Sequence, residues 1–373
     1  MALTTHLDKP RTGCYSAYNR LRNRLYCVWD HTQGTGGVLI VTIREVAERA
    51  GVSTSTVSHV VNETRYVSPA IHVRVRQAMA ELGYQPNALA RSLRVKRSQT
   101  LGMLVPDIAN PFFAEIVRAI EEVAFQAGYS LFLCSSEGDL AKERLFANVL
   151  VEKQVDGIVF VAAGASVDVV ERLVARAVPM VLIDRELPGV QVDVVLADNL
   201  AGGKNATAHL AELGHRRIAC ITGPSELTLS AQRVIGYRAT LQEYAIAPDE
   251  TLVRRGSFDF ASGLCLTQTL LDLPNRPTAI FACNDVMAIG AMHAVLTAGL
   301  RVPEEISVIG FDDVPVAPYT NPPLTTIAQP IAGFGQTAIQ MLLARIADKD
   351  LPAQRQTLPM HLIIRASTAR VPA

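Results

Sequence analysis

The chain has 373 residues, 49% of them hydrophobic, which is enough for two or three domains with a sizeable core and excludes a disordered protein. Lys+Arg and Asp+Glu each number 35, yet residues 1–38 hold five bases against two acids and residues 39–98 nine against four, so the remaining chain is acidic. A basic front on an acidic body excludes general polyanion binding and points to a polyanion partner for the front alone.

Residues 1–38 mix Arg, Asn, Thr and Gly without a period and contain the only tryptophan, Trp29. Two readings stay open: a disordered extension, or a leader upstream of a true start near Val38 to Val41. The six cysteines (14, 27, 134, 220, 265 and 283) lack metal-ligand spacing and read as reduced thiols, with no metal or other cofactor expected. The early run GVLIVTI is too short for a membrane span, and the first thirty residues lack a signal-peptide core. A soluble, cytoplasmic chain with no membrane partner is the expectation.

From Val41 the pattern sharpens. TIREVAERAG (42–51) begins with a Thr cap, has Glu three residues later, carries an Ile43, Val46, Ala47, Ala50 stripe and stops at Gly51. A second helix is predicted from Ser53 or Thr54 to about Asn62. A third, SPAIHVRVRQAMAELG (68–83), has a Ser cap, Pro at its first position and Gly at its end. Three short helices with a tight first turn match a helix-turn-helix unit over 39–85. The second helix is odd. Five of the twelve residues in GVSTSTVSHVVN are hydroxylic, and these are mediocre helix formers. A capped surface helix explains Ser53; short hydroxyls that bond phosphate or base edges in a DNA groove explain the others.

TIREVAERAGVSTSTVSHVVNETRYVS and LGYQPNALARSLR resemble the lactose-repressor (LacI/GalR) family, closest to its ribose- and purine-responsive branches, and the resemblance runs from about Val41 to Ser367. It implies that Thr54, Ser55 and His59 face bases in the major groove, while Thr42, Ser53, Thr56, Arg65 and Tyr84 hold phosphates. PNALARSLR resembles the family's hinge helix, within a hinge and linker at 86–98. Leu93 stands where a leucine opens a base step in the minor groove, with cationic Arg94 beside it. The implied partners are a palindromic double-stranded operator and a second copy of the chain, as a homodimer or a tetramer.

After Arg97 the body alternates strand and helix. TLGMLVPD, YSLFLCSS, DGIVFVAA and PMVLIDRE form one series; VDVVLADN, RRIACITGP, ETLVRRGSF, PTAIFACND and EISVIGFDD form a second. The fold class is α/β: an all-α helix-turn-helix domain, then two lobes of doubly wound parallel sheet at 99–373. By resemblance the body is like a periplasmic sugar-binding protein. Lobe 1 is expected at about 99–197 and 330–350, and lobe 2 at about 199–327 and 355–367. The three crossovers fall near 197–199, 327–330 and 350–354.

Ligands of such sheets sit beyond the carboxyl ends of the strands, where polar residues cluster here. NPFF offers Asn110 with Phe112 and Phe113; IDR offers Asp184 and Arg185; Arg233, Asn284, Asp312 and Gln329 complete the set, with Phe258 and Phe311 as further walls. Carboxylates and guanidinium for vicinal hydroxyls, amides, and aromatic faces suit a polyhydroxylated ring. The same residue types line the pocket of the ribose-binding proteins that the body resembles, so D-ribose or a related sugar is the expected effector. The alternatives are a purine-responsive repressor using a corepressor and a sugar-binding transport protein. An enzyme is not expected: AGGKNAT (201–207) lacks the phosphate-loop spacing, and no GxSxG or strand-borne GxGxxG occurs.

Overall fold

The computed structural model describes residues 41–63, 65–84, 97–161, 167–187, 189–224 and 228–371. The expected extension at 1–38 and the hinge residues Leu93 and Arg94 lie outside the described residues. The chain divides into two compact units, with the boundary at Asn87.

The first unit is three helices: α1 (Ile43–Ala50), α2 (Thr54–Asn62) and α3 (Pro69–Leu82). Its core is small. Val46, Ala47 and Ala50 of α1 meet Val57 and Val60 of α2 and Val75 and Ala78 of α3. The capping box forms as the sequence predicts: Glu45 N–H donates to Thr42 Oγ1 at 3.4 Å, and Thr42 N–H donates to Glu45 Oε2 at 2.6 Å. That bond also holds the Glu45 carboxyl below its usual range. Gly51 takes the left-handed conformation (φ 60) that ends α1, so the chain turns within three residues into α2. Ser68 precedes α3 but makes no side-chain cap, whereas Gly83 (φ 63) ends it.

The second unit holds two six-stranded sheets. In chain order its strands and helices are β1 (Thr100–Val105), α4 (Pro111–Gln126), β2 (Ser130–Ser135), α5 (Leu140–Glu152), β3 (Gly157–Phe160), α6 (Val167–Ala175), β4 (Met180–Ile183), β5 (Asp193–Ala197), α7 (Asn199–Glu212), β6 (Ile218–Thr222), α8 (Thr228–Glu243), β7 (Val253–Arg255), α9 (Phe260–Leu271), β8 (Ala279–Ala282), α10 (Asp285–Thr297), β9 (Ser307–Asp312), β10 (Thr325–Ala328), α11 (Ile331–Ala347), β11 (Arg355–Leu358) and β12 (His361–Ile363). The sheets run β11-β5-β4-β3-β1-β2 and β12-β10-β9-β8-β6-β7. Every pairing is parallel except β10 with β12. Central strands such as β3 (GIVF), β4 (MVLI) and β8 (AIFA) are buried throughout, as sheets covered on both faces require.

The chain passes between the lobes three times. Ala197–Asn199 carries it from β5 into α7, and Ala328–Ile331 from β10 into α11, which packs on β3, β4 and β5 of the first sheet. The third passage departs from the expectation. Arg355–Leu358 pairs in parallel with Val194–Ala197, so residues 355–358 belong to lobe 1 and the crossing falls between Leu358 and His361. The strand Arg-Gln-Thr-Leu is an exposed sheet edge with no apolar alternation, and backbone pairing alone defines it. Likewise, VDVVLADN belongs to the first sheet, between β4 and β11, and does not open the second. Beyond β12 the tail folds back on lobe 2, where Ser367 Oγ donates to the Val308 carbonyl at 2.6 Å and accepts from Thr325 N–H at 2.8 Å.

Among the described residues, no helix is long and apolar enough to cross a membrane, and no His, Cys, Asp or Glu group could hold a metal ion. The AGGKNAT stretch lies inside α7. A Cβ on Gly203 would stand 2.3 Å from the Arg233 carbonyl, so this glycine lets α7 and α8 cross closely.

Candidate functional site

Two surfaces gather the residues singled out in the sequence. On the first unit, burial of Val57 and Val60 turns the opposite side of α2 outward. Ser53, Thr54 and Ser55 are exposed, and Thr56, Ser58 and His59 half-buried. Ser53 caps α2 by accepting Thr56 N–H at 3.1 Å, and its hydroxyl also meets those of Ser55 at 2.7 Å and Thr56 at 2.8 Å. Asn62 donates to the Ser58 carbonyl at 2.8 Å. The hydroxyls are thus partly occupied with one another, which explains their tolerance in a helix. Thr42 is exposed but engaged in its capping box, and Arg65 is exposed beside Tyr66, which is 87% exposed and was not anticipated. Tyr84 is half-buried against the three-helix core. Arg49 pairs with Glu81 and Arg76 with Glu63, whereas Arg44, Arg65 and Arg74 make no ion pair among the described residues.

The second surface is a cleft of about 490 Å³ beyond the carboxyl ends of the strands in both lobes. Asn110, Phe112, Phe113 and Asp184 line it from lobe 1, and Arg233, Phe258, Asn284 and Asp312 from lobe 2. Asn110 caps α4, its Oδ1 accepting Phe112 N–H at 3.1 Å; this aims the helix start, with the tilted Phe112–Phe113 pair (ring centroids 5.1 Å apart), into the cleft. Asn284 likewise caps α10 and donates to the Phe258 carbonyl at 3.0 Å. Its amide therefore holds Phe258 in place. A Cβ at Gly223 would sit 1.9 Å from the Phe258 ring, so glycine there makes room for this wall.

Arg233 lies at the centre and is 2% exposed. Its Nε donates to Asn199 Oδ1 at 2.7 Å, and its Nη1 donates to the Cys283 carbonyl and lies 3.9 Å from Asp312 Oδ1. The guanidinium stacks on Phe311 at 3.8 Å. Asn199 Nδ2 reaches Asp184 Oδ1 at 3.5 Å, and Gln329 Nε2 donates to Asp312 Oδ1 at 2.9 Å. Burial pushes the Asp184 carboxyl up to about 6 and the Asp312 carboxyl to about 7, with the Arg233 charge opposing the rise in both. Asp184 (φ 56), Phe258 (φ 63) and Asp312 (φ 116) all have left-handed backbones, a local cost that the surrounding contacts hold in place.

Three expected cleft residues stand elsewhere. Arg185 does not line the cleft. It is 8% exposed with the Glu143 charge close to it, because successive side chains at a strand end leave on opposite sides. Gln329 and Phe311 lie behind the lining, one bonded to Asp312 and the other beneath Arg233. Asn199 was missed, although LADN ends a strand in the same way as IDR and ACND. The rim also includes Asp107, Glu137 and Asp259. Asp313 turns away to Arg365 at 2.7 Å, so Asp312-Asp313 is no acid/base pair.

Residues 42–87 match the family described as bacterial regulatory proteins, lacI family, and residues 207–368 match a periplasmic binding protein-like domain. The chain is 41% identical over 331 residues to the ribose operon repressor of Escherichia coli, covering 88% of this chain and 100% of that one. It is 39% identical over 329 residues to the HTH-type transcriptional repressor PurR of Photobacterium profundum, covering 88% and 98%. Among solved structures, the lac repressor dimer bound to operator and the anti-inducer ONPF matches with TM-score 0.80 at 32% identity, over 88% of this chain and 99% of that one. A LacI family regulator from Enterococcus faecium with bound ribose matches with TM-score 0.66 at 33% identity, over 73% and 100%.

Proposed function

Because the chain belongs to the lacI family of DNA-binding transcriptional regulators, which bind operator DNA as dimers and answer to small molecules, we propose that it represses a sugar catabolic operon and is released by D-ribose or a closely related sugar. One observation carries the sugar reading. Buried Asp184, Arg233 and Asp312, tied together from behind by Asn199, line an open cleft with the aromatic walls Phe112, Phe113 and Phe258. Carboxylates and a guanidinium pair with vicinal hydroxyls, while Phe112, Phe113 and Phe258 cover the C–H faces of a ring. The similarity to a ribose operon repressor and to a ribose-bound regulator points the same way.

On the DNA side, Thr54, Ser55 and His59 are assigned to bases, and Ser53, Thr56 and Arg65 to phosphates. Thr42 and Tyr84 are assigned to phosphates with them. Leu93 and Arg94 are assigned to the minor groove, and residues 86–98 couple the two units. A ligand shifts DNA affinity only through its differential affinity for the lobe arrangements. Closure of the cleft on sugar is the state assigned low operator affinity, which makes the sugar an inducer.

A second reading is a purine corepressor, favoured by the similarity to PurR and by aromatic faces that can clasp a planar base. A calorimetric screen of the purified protein against pentoses, hexoses and purine bases separates the two. Heat from a purine base alone would reject the sugar.

A further inference from the structure

We propose that the cleft takes uncharged polyhydroxylated ligands and rejects their phosphate esters. The proposal rests on the reading that this cleft is the effector site, and it concerns the charge of the effector rather than its identity. Among the described residues, five carboxylates line the cleft (Asp107, Glu137, Asp184, Asp259 and Asp312) against a single guanidinium, Arg233. That guanidinium is committed to Asn199, the Cys283 carbonyl and the Phe311 face. Lys142 is held on the rim carboxylate Glu137 at 2.6 Å. Residues 162–166 and 225–227, outside the described residues, contain no lysine or arginine.

Helix starts could still offer an anion their N–H groups and dipoles. Here each of three helix starts at the cleft already gives one of those donors to a capping side chain. Asn110 caps α4, Asn284 caps α10, and Asp259 accepts Ser262 N–H at 2.7 Å at the start of α9. The α9 cap is itself anionic and cancels part of the local dipole. A phosphate dianion entering this rim would meet Asp107, Glu137 and Asp259, with Lys142 already paired to Glu137, and like charges set together across a binding surface cost affinity.

Titration calorimetry on the full chain tests this with matched pairs: ribose and ribose 5-phosphate, glucose and glucose 6-phosphate, adenosine and adenosine monophosphate. In whichever pair binds, the uncharged member should be tighter by about tenfold or more. In the combined variant Asp107→Asn, Glu137→Gln and Asp259→Asn, which keeps a capping residue at 259, the ratio of the two affinities should shrink. A general loss of binding would not move that ratio. An ester that binds as tightly as its parent overturns the proposal, as does a panel in which no uncharged member binds, or an unchanged ratio in the variant. Binding of an uncharged ligand other than ribose would reject ribose while supporting the charge rule.

Discussion

The outer face of α2 and the interlobe cleft both concentrate polar side chains, but they satisfy them in opposite ways. On α2 the bonds are short-range: Ser53 reaches Ser55 and Thr56, and the groups stay open to water. In the cleft they are long-range, from Arg233 to Asn199 and Cys283 and from Gln329 to Asp312, and the groups are buried. The difference teaches what each surface can give up. An exposed hydroxyl can leave its neighbour for a phosphate at little cost, whereas a buried charge cannot lose its partner without destabilising the fold.

Arg233→Ala should therefore have the largest effect. It strips compensation from Asp184 and Asp312 and should destabilise the second unit by about 3–5 kcal/mol while abolishing sugar binding. Urea unfolding is the check; a loss of ligand response with unchanged stability would contradict the buried network. His59→Ala should leave stability alone and cost about 1–3 kcal/mol at one operator position. Competition among single-base operator variants reads this, and a uniform loss across them would move His59 to the phosphates.

How much of this contrast was legible depended on range. The α1 capping box, the α2 start and the alternation of strands are written in residues within four places of each other, and they fold as read. The cleft was read largely through strand-end motifs, which located Asp184 and Asp312 but not the direction of each side chain; Arg233, from SAQRVIGYRA, lies inside helix α8. Arg185 is the instructive case: adjacent to Asp184 in sequence, it leaves the strand end on the other side. Asn199 and β11 were missed because their roles come from partners far away in the chain, Arg233 for one and β5 for the other.

A pH series sharpens the comparison. Folding raises the Asp184 and Asp312 carboxyls from 3.8 to about 6 and about 7, so the folded protein holds more protons than the unfolded chain between those values. Without ligand, stability should fall as pH rises through that window. A sugar that donates hydroxyls to the ionised carboxylates should bind about tenfold more tightly at pH 8 than at pH 5.5. Asp312→Asn should flatten that slope. Calorimetry across the range decides it, and a pH-independent affinity would remove the carboxylates from the binding site.

The smallest effects belong to α2. Ser53→Ala should cost the first unit about 1 kcal/mol through loss of the cap, and Thr54→Ala should cost operator affinity with little change in stability. Thermal unfolding beside DNA binding separates the two, and a Thr54 variant that destabilises without weakening DNA binding would make that hydroxyl structural.

Filling the cleft should weaken the grip on DNA. Ribose titrated into a complex of the protein with its operator, followed by fluorescence anisotropy of labelled DNA, tests it most directly. Release of the DNA is expected at saturating sugar, with no release from the Arg233→Ala protein. Anisotropy that rises, marking tighter binding, would make the sugar a corepressor, and anisotropy that does not move would rule ribose out as the effector.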